Sequence, residues 1–166
     1  MTDQTALNEN VRVFTTHSAE DTIEVGREIA RFLDPPRVIL LRGDLGAGKT
    51  TLVKGIAAAL GAAEPEEVTS PTFTLVHEYA GRSVEHAKLG ESILLYHLDL
   101  YRIENQRQLD TLGIEELMTS QSVLLIEWGE KFPSITARRD GEIVIETLRG
   151  DERRITLTLQ TPRTAA

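Results

Sequence analysis

The chain has 166 residues, 40% of them hydrophobic and 27% charged, which suits one globular domain with a sizeable core and excludes a disordered chain. Its net charge of −8 argues against broad, unassisted binding to a nucleic-acid backbone; contact with RNA would need a basic partner. There is no cysteine, so a disulfide framework and any Cys-based metal or nucleophile site are excluded.

The polar start "MTDQTALNEN" has no apolar run of signal length. No segment reaches the roughly 18 apolar residues of a membrane span. The expectation is therefore a cytoplasmic protein with no membrane association. "VRVFTT" (11–16) alternates and is rich in β-branched residues, as a strand would be. "SAEDTIEVGREIARFL" (18–33) has helical periodicity through Ile23, Val25, Ile29, Ala30, Phe32 and Leu33, with Ser18 and Asp21 spaced as a capping box. "DPP" (34–36) ends that helix, and "RVILL" (37–41) is short and apolar, as a strand buried on both faces would be. The helix "TTLVKGIAAALG" closes on Gly61.

"EVTSPTFTLVHEYAG" (67–81) reads as a loop running into a strand, followed by a polar turn or insertion at 83–92. "ILLYHLDLYR" (93–102) starts as a buried strand. Asn105 with Gln108 can cap a short helix holding Leu109, Leu112 and Leu117, and "SVLLIEW" (122–128) is another buried strand. "EIVIETL" and "RRITLTL" alternate and are joined by "RGDE", a terminal hairpin, after which the last six residues are expected to fray. The expected architecture is an α/β fold of the phosphate-loop type: one mixed sheet, parallel at its centre, with helices on both faces and a C-terminal antiparallel hairpin. It forms one domain over 1–166 with a core at about 11–160.

Between the second strand and its helix lies "GDLGAGKT" (43–50), a Gly-x-x-x-x-Gly-Lys-Thr phosphate loop. Gly43, Gly46 and Gly48 permit backbone angles that a Cβ opposes, so N–H groups can turn inward as an anion nest at the positive end of a helix. Gly43, Asp44, Leu45, Gly46, Ala47, Gly48, Lys49, Thr50 and Thr51 are the nucleotide-binding candidates. Lys49 supplies a point charge for the β- and γ-phosphates, and the Thr50 hydroxyl can ligate Mg2+. Two acids stand at the ends of apolar runs, Asp99 in "ILLYHLD" and Glu127 in "SVLLIE". Such a carboxylate is costly unless solvated, paired or bound to metal, so Asp99 and Glu127 join Thr50 as Mg2+ candidates. In "TSPTF" (69–73), Pro71 stiffens a loop bearing Ser70 and Thr72, where a hydroxyl can sense a γ-phosphate. His97, alone in a strand, reads as a hydrogen-bonded structural residue.

Together these fragments resemble the TsaE (YjeE) family, bacterial ATPases needed for threonylcarbamoylation of tRNA adenosine. The resemblance is carried in order by "GDLGAGKTTL", "SPTFTLV", "YHLDLYR", "LGIEEL" and "LLIEW", across about residues 11–160. It implies Thr72 as a switch-like threonine, Asp99 and Glu127 as acids at the site, and Trp128 as an aromatic beside the nucleotide. The adenine would lie near Thr16–Thr22. It also implies a weak Mg2+-dependent ATPase, stimulated by TsaD and TsaB and meeting tRNA only indirectly through that complex. The connection at 81–92 is longer than the family pattern. Two other readings of the loop are a small-molecule kinase and a nucleotide-dependent regulatory switch. A kinase needs an Arg-bearing lid, for which Arg138–Arg139 and Arg153–Arg154 are poor candidates. No Asn-Lys-x-Asp guanine-reading tetrapeptide occurs, so ATP is preferred.

Overall fold

A computed structural model describes residues 10–82 and 92–160. In chain order the elements are β1 (Val11–Thr16), α1 (Ala19–Ala30), β2 (Arg37–Gly43), α2 (Lys49–Ala59), β3 (Val76–Arg82) and β4 (Ser92–Asp99). Then come α3 (Gln106–Thr111), α4 (Ile114–Leu117), β5 (Ser122–Glu127), α5 (Pro133–Thr136), β6 (Gly141–Thr147) and β7 (Arg153–Leu159). Most of the 81–92 connection and the last six residues lie outside the described residues. Gly81, Arg82 and Ser92 belong to strands β3 and β4.

The described strands form one sheet in the order β1-β7-β6-β2-β5-β4-β3. Its centre, β6-β2-β5-β4, is parallel, while β3, β7 and β1 add on antiparallel. The expected mixed sheet and terminal hairpin are both present. The hairpin is no appendage, because β6 runs directly beside β2 and pairs Ile145 with Gly43.

Side chains alternate across the strands, so each central strand feeds two cores. Ile39, Leu41, Leu95 and Leu125 point to one face, where they meet Leu52, Val53 and Ile56 of α2 and Ile29 of α1. Leu40, Leu98, Leu124 and Ile126 point to the other, under Leu109, Ile114 and Ile135 of the short helices α3, α4 and α5. All of these except Leu109, Ile114 and Ile135, which are 4% exposed, are fully buried, and each such side chain contributes roughly 1.5–3 kcal/mol over leaving it in water.

The caps explain where the helices start and stop. Ser18 Oγ accepts the Asp21 N–H at 3.1 Å, and the Asp21 carboxylate accepts the His17 N–H at 2.9 Å, one residue earlier than a capping box requires. α1 ends at Ala30, so Phe32 and Leu33 lie in turns beyond it, bonded to Ile29 O and Ala30 O. At the end of α2, Gly61 (φ 65°) donates to Ala58 O and Ala62 donates to Ala57 O, both halves of a Schellman motif. Asn105 caps α3 by accepting the Gln108 N–H at 2.9 Å. The single helix expected through Leu117 is broken at Gly113, whose φ of 66° is left-handed, so Leu112 closes α3 and Leu117 belongs to α4.

α1 and α2 touch through glycine. A Cβ on Gly26 would strike Leu52 O, and one on Gly55 would strike Ile23 O. The contact is backbone on backbone, and the apolar periodicity of α1 gives no sign of it. Its inward stripe is Thr22, Gly26, Ile29 and Ala30, while Val25 is only partly buried.

Candidate functional site

β2 delivers the glycine loop, and α2 begins at Lys49 immediately after it. The three loop glycines serve different ends. Gly46 and Gly48 have φ of 79° and 110°, which side chains oppose. Gly43 has no such angle; a Cβ there would lie 2.9 Å from Ile145 O, so glycine is required by the approach of β6. The Ala47 N–H donates to Asp44 O at 3.0 Å and the Ala47 side chain is buried, which pins the loop inward, while Leu45 is fully exposed. From β7, Arg153 Nε donates to Ala47 O at 3.1 Å, tying the terminal hairpin to the loop.

Facing the loop are the tips of the neighbouring parallel strands. Asp99, the last residue of β4, is the register partner of Glu127, the last of β5, and Glu127 is in turn level with Leu41 of β2. Both acids sit on the α2 side. A cavity of about 660 Å³ opens between them and the loop, lined by Leu45, Gly46, Gly48, Lys49, Thr50, Thr51, Ser70, Thr72, Asp99, Tyr101, Glu127 and Trp128. Gly43 and Asp44 line an adjoining hollow of about 590 Å³, shared with Lys49 and Trp128 and bounded by β6.

Lys49 Nζ donates to Gly43 O at 2.7 Å and lies 3.2 Å from Glu127 Oε1. The other Glu127 oxygen, Oε2, is 2.6 Å from His97 Nε2. Burial pushes the Glu127 carboxyl up, but the His97 hydrogen bond and the charges of His97 and Lys49 outweigh it and hold the group below the ordinary carboxylate range. Glu127 is thus kept ionised although only 4% exposed. Asp99 accepts the Tyr101 N–H at 3.0 Å on Oδ1 and the Thr72 hydroxyl at 3.3 Å on Oδ2. Ser70 Oγ lies 2.7 Å from Thr72 Oγ1, so the Ser-Pro-Thr loop is latched to the tip of β4.

Trp128 is not part of the strand expected over 122–128. Its φ of 63° turns the chain out of β5, leaving the side chain 36% exposed at the cavity rim. The indole packs on Tyr101 with centroids 5.1 Å apart and lies 5.9 Å from Lys49 Nζ. Three of the four arginines considered for a kinase lid have partners elsewhere in the fold. Arg154 pairs with Glu146 and Arg138 with Glu115, while Arg153 also donates to Gly150 O.

Among the cavity's oxygens are the Thr50 hydroxyl and the Asp99 and Glu127 carboxylates, all hard donors. Among the described residues no three His, Cys, Asp or Glu side chains are arranged to hold a metal by themselves. That donor set fits Mg2+, which takes one or two protein oxygens and completes its shell with water and phosphate.

Sequence reasoning misses Tyr101, although it stands two residues beyond Asp99 in "HLDLYR". It also gives His97 a structural role only. The signal for His97 is the period of two, since 97 and 99 share a face and 99 stands level with 127. Arg153 carries no local signal, because its partner Ala47 is 106 residues away. Thr16 and Thr22, in the region expected near the adenine, are buried and joined by a hydroxyl–hydroxyl hydrogen bond of 3.1 Å; Thr22 Cγ2 comes within 3.9 Å of where a Gly48 Cβ would be.

A strand, a glycine loop and a helix in direct succession, with two strand-tip acids facing the loop lysine, define a phosphate-loop α/β protein. The model of the family described as "Threonylcarbamoyl adenosine biosynthesis protein TsaE" matches residues 16–155. The chain is 37% identical over 142 residues to the tRNA threonylcarbamoyladenosine biosynthesis protein TsaE of Treponema pallidum (strain Nichols), covering 86% of this chain and 96% of that one. It is 38% identical over 144 residues to the protein of the same name from Bacillus subtilis (strain 168), covering 86% and 82%. The crystal structure of Bacillus subtilis YdiB superposes with a TM-score of 0.65 at 33% identity, over 92% of this chain and 88% of that one. The chain belongs to the TsaE family. No helix among the described residues is long and apolar enough to cross a membrane.

Proposed function

We propose that this protein binds ATP with Mg2+ in the 660 Å³ cavity and hydrolyses it, as a subunit serving threonylcarbamoyl modification of tRNA adenosine. The observation that carries the reading is the level pairing of Asp99 and Glu127 on adjacent strand tips, opposite Lys49. The N-terminus of α2 and the loop N–H groups receive the phosphates, and Lys49 exchanges its contact with Glu127 for the β- and γ-phosphate oxygens. Thr50 would hold the ion, with Asp99 or Glu127 as its protein acid. When bound, Mg2+ would supply neutralisation of the charge that builds on the phosphates. Glu127, kept ionised, would orient the attacking water or hold the ion. Thr72, linked to Asp99 at 3.3 Å, registers the γ-phosphate. Trp128 and Tyr101 form an aromatic wall at the rim.

The partners in this reading are the TsaD and TsaB proteins, with tRNA reached only through their complex, in the cytoplasm. An acidic chain of net charge −8 suits that indirect route to RNA. The test is phosphate release with ATP and with GTP, alone and after adding TsaD and TsaB. Slow ATP hydrolysis that rises with both partners is expected. Rapid ADP formation coupled to a phosphorylated small molecule would replace this reading with a kinase, and tight GTP and GDP binding without turnover would replace it with a switch.

A further inference from the structure

The buried pair behind the site carries a role of its own. His97 lies in β4 with no exposed surface, two residues before Asp99 and on the same side of the sheet. Its Nε2 makes a 2.6 Å contact with Glu127 Oε2. An ionised carboxylate has only lone pairs, so the imidazole donates in this bond. The other ring nitrogen, Nδ1, is buried and has no hydrogen-bond partner among the described residues. Its register partner on β3, His77, engages its own ring nitrogens with Thr74 Oγ1, Thr69 O and Tyr79 OH. A histidine retained for the core alone is expected to satisfy both nitrogens. This one satisfies only the nitrogen that faces Glu127, so the reason for a histidine here lies with the site.

We propose that His97 is the positioning residue for Glu127: by occupying Oε2 it turns Oε1 alone towards the cavity. The inference rests on the role given to Glu127 above. Two groups compete for that carboxylate, His97 on Oε2 and Lys49 on Oε1 at 3.2 Å. Without the imidazole the carboxylate is free to rotate and set both oxygens on the ammonium. Glu127 then loses its aim at the water or ion in the cavity, while Lys49 stays beside the phosphates. Orientation of this kind typically accounts for about 10- to 100-fold when a supporting group is removed.

Side-chain lengths make the test selective. The amide nitrogen of Gln stands as many bonds from Cα as His Nε2, whereas that of Asn matches Nδ1. His97→Leu is therefore expected to lower kcat about 10- to 100-fold while the ADP Kd, read by Trp128 fluorescence, stays within about threefold. His97→Gln should recover most of the loss and His97→Asn should not. Independently of turnover, 15N spectra of the wild-type protein should show a slowly exchanging His97 Nε2–H resonance that disappears in Glu127→Ala. If His97→Leu does not fold, the Gln and Asn variants, both polar, still decide. Equal kcat in these two overturns the proposal, as does a protonated Nδ1 with a bare Nε2. A dead Glu127→Ala with His97→Leu at the wild-type rate removes the His97 role alone. Glu127→Ala at the wild-type rate removes the site reading, and this inference with it.

Discussion

The two faces of the sheet are built from the same strands and do different work. On one face, α1 and α2 lie close enough for Gly26 and Gly55 to meet backbone to backbone. That face carries His97, Asp99 and Glu127 at the strand tips and Lys49 opposite them. On the other, the three helical pieces α3, α4 and α5 have six, four and four residues and cover a largely apolar layer that includes Leu40, Leu98, Leu124 and Ile126. A strand that alternates every second residue can place an acid against a phosphate loop and a leucine in a core one position apart. Long helices with a tight crossing are needed where a charged site must be held in register. Short helices suffice where burial is the only demand.

This contrast is most severely tested at Glu127 and Lys49. Glu127→Ala is expected to lower ATP turnover on the order of 100-fold or more while nucleotide binding, followed by Trp128 fluorescence, is largely kept. Lys49→Ala should weaken both measurements. Turnover by Glu127→Ala at the wild-type rate would break the assignment of chemistry to this face.

Next in size are two stability changes that separate the faces. Leu124→Ala, on the apolar face, should cost about 2–5 kcal/mol in urea unfolding yet leave turnover per folded molecule intact. Gly55→Ala, at the helix crossing, should cost about 1–3 kcal/mol and also lower nucleotide affinity, because α2 carries Lys49 and Thr50. A Gly55→Ala protein with unchanged affinity would mean that the crossing supports the fold and not the site.

A smaller effect concerns acid. Glu127 is held below the ordinary carboxylate range, so the folded chain takes up this proton less readily than the unfolded one. Its contribution to stability is complete above the unfolded-state value and is lost as pH falls through the folded-state value. The gap in unfolding free energy between wild type and Glu127→Gln should therefore narrow as the pH is lowered from neutrality through the carboxylate range. A constant gap would show that the ionised form is not what the pocket favours. Smallest is Asn105→Ala, which removes the α3 cap on the apolar face and should cost about 1 kcal/mol with no change in turnover.

Much of the site-bearing face is legible in residue order alone. Strands β2, β4 and β5 are short apolar runs whose starts follow from residue order, although β2 runs two residues past the expected 37–41, to Gly43, and β5 stops at Glu127, one short of the expected 122–128. The phosphate loop and the two acids announce themselves by residue type and position. Less legible are features that backbone geometry or a distant partner decides against the apolar pattern. The end of α1 at Ala30 is one, since Phe32 and Leu33 continue the apolar pattern while their backbone has already left the helix. The break at Gly113 is another, and the turn of Trp128 out of β5 to meet Tyr101 is a third.

By itself, then, the sequence determined the order of the strands and of the two long helices α1 and α2, the loop and the acids that close its site, because these depend on local period and on residue chemistry within a few positions. Only the tertiary structure decided that β6 lies beside β2, that Gly43 serves that approach, and that Arg153 holds the loop at Ala47. The same holds for the paired oxygens of Glu127, one taken by His97 and one facing Lys49. These arrangements depend on which strand pairs with which and at what register, and nearest-neighbour propensity carries no information about either.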